Sequence, residues 1–219
     1  MRGFKTEGIV LKRRNFGEAD RILTVFTKQR GKISVLAKGV RRITSRRAGN
    51  VELLNRVSIF LHQTKGMPIL TEAESLETYS TIKQDLKLSS VAFHILELVD
   101  KLTAENQESP KLYQDLVEVL KRLESSPRQI FIRAFEVKIL SLMGFANFRE
   151  GLGLNLEDIS QDVKKILGDL VNMSWDEIEK IQIKEKEALE LEQVLRYHVE
   201  RVIEGQLKSR QFLKRIQKT

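Results

Sequence analysis

The spacing of apolar residues in this 219-residue chain changes near residue 80 from every second position to every third or fourth. Successive side chains of a strand point to opposite faces, whereas a helix returns to the same face after about 3.6 residues. A chain that carries the two periods in separate stretches therefore folds in two parts. The first stretch reads as five strands: "FKTEGIVLKRR" (4–14), "ADRILTVFT" (19–27), "KISVLAK" (32–38), "RVSIFLHQ" (56–63) and "PILTEAESL" (68–76). In the third, Ile33, Val35 and Ala37 face one way and Ser34, Leu36 and Lys38 the other, so one face can fill a core. The separators "NFGE", "KQRG" and "TKGM" each place a glycine where a hairpin wants positive φ. Five short strands in so little chain are the size of a small closed or nearly closed barrel.

The second stretch is helical. Leu88, Val91, Ile95, Leu98 and Leu102 form one stripe, and Leu112, Leu116, Val119, Leu120 and Leu123 another, introduced by Pro110. "RQIFIRAFEVKILSLMGF" is apolar on most sides, with Phe131, Phe135, Ile139 and Leu142 as its clearest stripe. That pattern predicts a central buried helix, ended by Gly144 in a left-handed cap. After a connector at 145–158 come a short helical pattern, "LEDISQDVKKILGDL", and one starting at "SWDE", where Ser174 and Glu177 fit a capping box. A longer helix carries Leu191, Val194, Leu195, His198 and Val202. The expected architecture is α+β, with a small five-stranded barrel over 1–79 and an α-helical domain over 80–219.

Charge divides the chain in the same place. Residues 1–70 hold 16 Lys and Arg against 4 Asp and Glu, a net +12, while the remainder holds 22 against 26, a net −4. The densest part is the loop after the third strand, where Lys38, Arg41, Arg42, Arg46 and Arg47 meet no acid. A basic run is usually just a solvated face. In a barrel loop, within so positive a segment, it fits a polyanion, because OB-type barrels bind single strands through one strand face and its neighbouring loops. "KRR" at 12–14 adds a second cluster, which also suits a charged edge strand. Aromatic residues are few in this part; Phe26 and Phe60 are expected in the core, and Phe16 alone is placed for base stacking. Binding should then be mostly electrostatic and nearly blind to sequence.

Other chemistries find little support. The absence of cysteine excludes disulfides, thiolate zinc sites and thiol nucleophiles. His62, His94 and His198 lack ligand spacing and read as core-edge residues, and "GLGLN" (151–155) lacks the preceding strand and third glycine of a phosphate loop. Neither a catalytic constellation, a metal nor a cofactor is expected. No apolar run approaches the roughly 18–20 residues that cross a bilayer, and the first residues have no signal-peptide core. A cytoplasmic protein with no membrane attachment is expected, associated with the nucleoid when bound to DNA.

Several blocks resemble the RecO family of bacterial recombination mediators: "TEGIVLKRRNFGEADRILTVFTKQRGKISVLAKGVRR" (6–42), "ELVDKLT" (97–103), "RAFEVKILSLMGF" (133–145) and "LKSRQFL" (207–213), in the family's order. The resemblance implies an N-terminal OB fold and a helical domain. It also implies binding to single- and double-stranded DNA, annealing of complementary strands, and contacts with RecR and the C-terminal tail of single-stranded DNA-binding protein, in support of RecA. One departure stands out. Many such proteins carry a four-cysteine zinc module where this chain has "ANFREGLGLNLEDIS", so zinc is not carried over; a cysteine-free replacement is expected at about 146–180, packed through Leu152, Leu154, Leu156 and Ile159.

The residues expected at phosphates are Lys12, Arg13, Arg14, Lys32, Lys38, Arg41, Arg42, Arg46 and Arg47, with Lys208 and Arg210 as weaker candidates. A groove with an apolar floor and a rim of Arg128, Arg133 and Lys138 would suit an acidic, apolar-ended peptide. The alternative is a protein-interaction scaffold whose barrel adds only weak, non-specific DNA binding.

Overall fold

The computed structural model of the chain describes residues 3–148 and 159–204 together with Leu207 and Ser209. The expectations for Lys208, Arg210, Leu152, Leu154 and Leu156 lie outside the described residues. The chain divides into two compact units, one of residues 1–80 with 103–114 and one of 81–102 with 115–219.

Five strands build the first unit: β1 (Gly3–Phe16), β2 (Asp20–Thr27), β3 (Gly31–Ala37), β4 (Arg56–His62) and β5 (Ile69–Glu77). They close in the order β1-β2-β3-β5-β4. Closure depends on β1, which pairs antiparallel with β4 through its first half and with β2 through its second. The register shifts between Val10 and Lys12, so the strand bends there, at the buried Leu11. The opposite seam is thin: β3 and β5 share one parallel pair, Leu36–Ile69, supported by a bond from Leu36 N to Pro68 O at 2.9 Å. Val10, Leu23, Val25, Val35, Ile59 and Leu61 fill the barrel, as their alternation requires.

Gly17 and Gly31 take positive φ in their hairpins, as the turn pattern predicts. Gly66 does not. Its turn is closed by Thr64, whose Oγ1 accepts from Gly66 N at 3.1 Å and donates to Met67 O at 3.0 Å, a side-chain turn that makes left-handed backbone unnecessary. The segment 103–114 completes the unit. Asn106 N bonds to Lys32 O at 2.8 Å and Ser34 Oγ to Glu105 Oε1 at 3.0 Å. Tyr113 donates to Glu7 at 2.7 Å, and the same carboxylate receives Arg56 at 2.7 Å. Burial and this contact with Glu7 both push the Tyr113 phenol well above its ordinary pKa.

In the second unit, α4 (Gln129–Leu142) packs against α2 (Leu86–Leu102), α5 (Gln161–Asn172), α6 (Trp175–Lys180) and α7 (Glu185–Val202). Its buried Phe131, Phe135 and Ile139 make it the central helix that its composition predicts. Leu142, expected on that stripe, is instead exposed, because it lies at the end of the last turn before Gly144 reverses the chain with φ +75°. α1 (Ser80–Gln84) begins at the boundary between the units, and α3 (Pro110–Ser125) opens with the proline its sequence marks. Leu116, Leu120 and Leu123 of α3 are buried, and Asp115 accepts from Trp175 Nε1 at 2.8 Å. Ser174 and Glu177 form the expected capping box on α6, and Ser160 caps α5. The region expected to replace a zinc module thus contains α5 and α6 among its described residues.

Candidate nucleic-acid interface

The β3–β4 loop is long, yet it is fixed at both ends and in the middle. Successive turns close from Arg42 N to Gly39 O, Ser45 N to Arg42 O and Ala48 N to Ser45 O. Val40 and Val51 are fully buried in the barrel core. Asn50 donates to Ala73 O at 2.9 Å, and the buried Asn55 donates to Asn50 O at 2.9 Å and Gly49 O at 3.1 Å. On the other side the loop is tied to the β1–β2 turn: Gly39 N donates to Asp20 at 2.7 Å, Arg41 N to Ala19 O at 2.9 Å and the Arg41 guanidinium to Gly17 O at 3.2 Å. One end of the barrel thereby gathers the loop, the hairpin and the exposed Phe16.

The basic residues expected at this site have different fates. Arg14, Lys38, Arg41, Arg42 and Arg46 are exposed, and among the described residues none has a carboxylate within ion-pair distance. Lys12 is exposed on the same face of β1 as Arg14 and Phe16. Arg13 points to the other face, where it pairs with Glu52, which also holds Arg21 at 3.5 Å. Lys32 is buried, its Nζ donating to Thr103 O at 2.6 Å, so it contributes nothing to the exposed cationic surface. A buried ammonium needs such an acceptor, and the carbonyl of the returning segment supplies it. Arg47 is half-buried and braces the loop: its guanidinium donates to Leu70 O at 2.7 Å and Lys38 O at 2.8 Å.

Lys38, Arg42, Thr44, Ser45 and Arg46 line a depression of about 590 Å³, with Asp20 as the acid on its wall. Asp20 is already engaged by Gly39 N. Ser45 Oγ is buried and, among the described residues, has no hydrogen-bond partner. The arrangement offers several cations and a hydroxyl to an anion's oxygens. Ser45 escapes the sequence reading because of its ordinary polarity, and so does the exposed Ile43 beside the depression, an apolar residue in a loop without strand period.

Because Arg47 is a brace, Arg47→Ala is expected to lower stability by roughly 1–3 kcal/mol, the cost of leaving carbonyls without their charged donor. Arg42→Ala and Arg46→Ala should leave the unfolding curve nearly unmoved. Urea denaturation of the three variants checks this, and an Arg47→Ala curve that overlays the parent would remove its assignment as a brace.

The second unit holds an apolar groove of about 510 Å³ lined by Ile130, Ile181, Ile183, Leu189 and Leu191, with Arg128 and Arg133 at its edge. Arg128 donates to the Glu179 and Ile181 carbonyls. Arg133 pairs with Glu136 at 2.7 Å and Glu192 at 3.5 Å. Lys138, expected on this rim, is buried instead and donates to Met173 O at 2.8 Å and Val171 O at 3.4 Å, because α4 is enclosed on the side where the lysine emerges. Behind Arg133, His94 Nε2 meets Glu136 Oε1 at 2.6 Å. His94 Nδ1 is buried without a partner among the described residues, so the geometry is satisfied by the tautomer that donates from Nε2. Among the described residues no three His, Asp or Glu side chains gather to hold a metal, and no helix is long and apolar enough to cross a membrane.

Comparison with known proteins finds matches in both units. Residues 1–79 match the family described as "Recombination protein O N terminal" and residues 83–147 the one described as "Recombination protein O C terminal". The chain is 39% identical over 149 residues to the DNA repair protein RecO of Acetivibrio thermocellus, covering 67% of this chain and 59% of that protein. It is 37% identical over 145 residues to that of Desulforudis audaxviator, covering 66% and 58%. Similarity to the RecO of Desulforamulus reducens, at 28% identity, extends over 100% of this chain and 97% of the relative. The first two relatives are thus matched over less than two thirds of their length, the third over nearly all of it. With both family segments present in order and full-length similarity to one relative, this chain belongs to the RecO family of DNA repair and recombination proteins.

Proposed function

We propose that the chain is a DNA-binding recombination mediator that holds single- and double-stranded DNA on the barrel end and promotes annealing of complementary strands. The observation that carries this reading is the cluster Arg14, Lys38, Arg41, Arg42 and Arg46, exposed and without carboxylate partners among the described residues. Two strands approach against the repulsion of their phosphates, and a cationic surface with few groups to read base edges lowers that barrier for any sequence. No bond is made or broken, so no catalytic group is needed. In this reading the protein works in the cytoplasm at the nucleoid.

The groove on the helical unit is the proposed seat of the C-terminal tail of single-stranded DNA-binding protein, with Arg133 meeting its carboxylates and the isoleucine and leucine floor its apolar end. Glu136 and Glu192 already engage Arg133, whose side chain is largely buried, so the tail must displace Glu192 at the groove edge to reach it. RecR is the proposed partner in handing the strand to RecA.

The test is duplex formation between complementary oligonucleotides coated with the cognate single-stranded DNA-binding protein, followed with and without the chain at several salt concentrations. Faster pairing of coated strands is expected. Faster pairing of naked strands alone would overturn the assignment of the groove, and no effect on either would favour a protein scaffold whose barrel binds DNA only weakly.

A further inference from the structure

Ile43 is the most exposed large hydrophobic side chain among the described residues, standing fully clear of the protein. Single exposed apolar residues are ordinary on protein surfaces. This one differs in its setting. It is at the outer part of a loop held by the buried Val40 and Val51 and braced by Arg47, so its position is fixed before any ligand arrives. Its neighbours in the chain are Arg42 and Thr44, which line the cationic depression together with Ser45 and its unpartnered buried hydroxyl. A second exposed apolar side chain, Phe16, follows Arg14 on the hairpin to which the loop is tied through Arg41.

Cations interleaved with exposed apolar groups are what a surface needs to hold both components of a single strand, its phosphates and the faces of its bases. A duplex hides those faces in the stack and yields them only where a step is prised open. A loop that carries charge alone would not distinguish the two forms in this way.

We propose that the β3–β4 loop is a single-strand reader in which the depression takes a phosphate and Ile43 packs against the face of an adjacent unstacked base. The inference rests on the DNA-binding reading and adds to it a preference for unpaired strands that does not come from charge. The phosphate is received by Arg42 and Arg46, and Ser45 Oγ donates to one of its oxygens. The tip then meets the neighbouring base, with little ordering cost left because the loop is already anchored.

Ile43→Ser tests the wedge with little risk to the fold, since the side chain is fully exposed. Binding is measured to a single strand carrying a fluorescent adenine analogue that brightens on unstacking, and to the matching duplex. The parent should bind the single strand with a rise in fluorescence. The variant should lose that rise and bind the single strand about 5-fold more weakly, an effect no larger than the lower end of what a base–aromatic stack contributes, while its duplex affinity stays within about twofold. Ile43→Leu should restore both readouts. A variant that keeps the rise and the affinity, or loses single-strand and duplex binding equally, overturns the proposal. A parent that binds neither form overturns the DNA-binding reading as a whole, a result distinct from loss of the wedge alone.

Discussion

Replacing Lys38, Arg41, Arg42 and Arg46 together by Ala is expected to weaken single-strand binding by on the order of 10²–10³ at 0.1 M salt. Each phosphate contact on a single strand contributes roughly 0.7 to the slope of log affinity against log salt, so four lost contacts flatten the slope by about 3 and remove the corresponding counterion release. The loss should be uniform across sequences, because these groups meet phosphates rather than base edges. Arg47 is left out of the variant because its guanidinium holds Leu70 O and Lys38 O, and its removal would confound a binding defect with a loosened loop. The fold should survive, since among the described residues these four side chains make a single hydrogen bond, from Arg41 to Gly17 O at 3.2 Å. Anisotropy titrations at a series of salt concentrations read both quantities. An unchanged slope would move the DNA site away from this end of the barrel.

The elements of the fold were legible because each rests on local chemistry. Alternation in "KISVLAK" already places Ile33, Val35 and Ala37 in the core, where all three are buried, and "SWDE" already contains the groups that cap α6. The fates of the cations were not legible, because they are decided by partners far away in sequence. Lys32 is buried by a carbonyl 71 residues later, Arg13 meets an acid 39 residues on, and Arg47 reaches the carbonyl of a strand 23 residues beyond it. Nothing near "LAKGVRR" distinguishes an arginine that braces from one that is free. The same holds within α4, whose apolar character predicts burial of the helix but leaves open how Glu136 and Lys138 are satisfied inside it. The exposure of Phe16 is legible from its place in a turn, whereas that of Ile43 is not, because strand and helix periods both fail in its loop.

Glu136→Ala is expected to destabilise the helical unit by about 3–5 kcal/mol, the usual cost of breaking a buried ion pair from one side, and to lower its thermal midpoint by roughly 10–20 °C. The carboxylate is fully buried between Arg133 at 2.7 Å and His94 at 2.6 Å. Its loss strands a largely buried guanidinium, for which Glu192 at 3.5 Å on the groove edge is a poor substitute. Burial alone would raise the Glu136 pKa, but Arg133 and the hydrogen bond from His94 outweigh it and bring the carboxyl down to about 2. The sign of the pH dependence follows. A carboxyl whose folded pKa lies below its unfolded value binds more protons in the unfolded chain, so its stabilisation is complete above pH about 4.5 and is lost as pH falls toward 2. Glu136→Gln keeps the shape but accepts through one oxygen and has no charge for Arg133. It should therefore be less stable than the parent at neutral pH, with the difference narrowing below pH about 4.5 as the carboxyl of the unfolded parent chain protonates. Urea titrations of parent and Gln variant between neutral pH and pH about 2.5 measure this, and a stability gap that stays constant across the range would mean that Glu136 is not the ionised centre of the network.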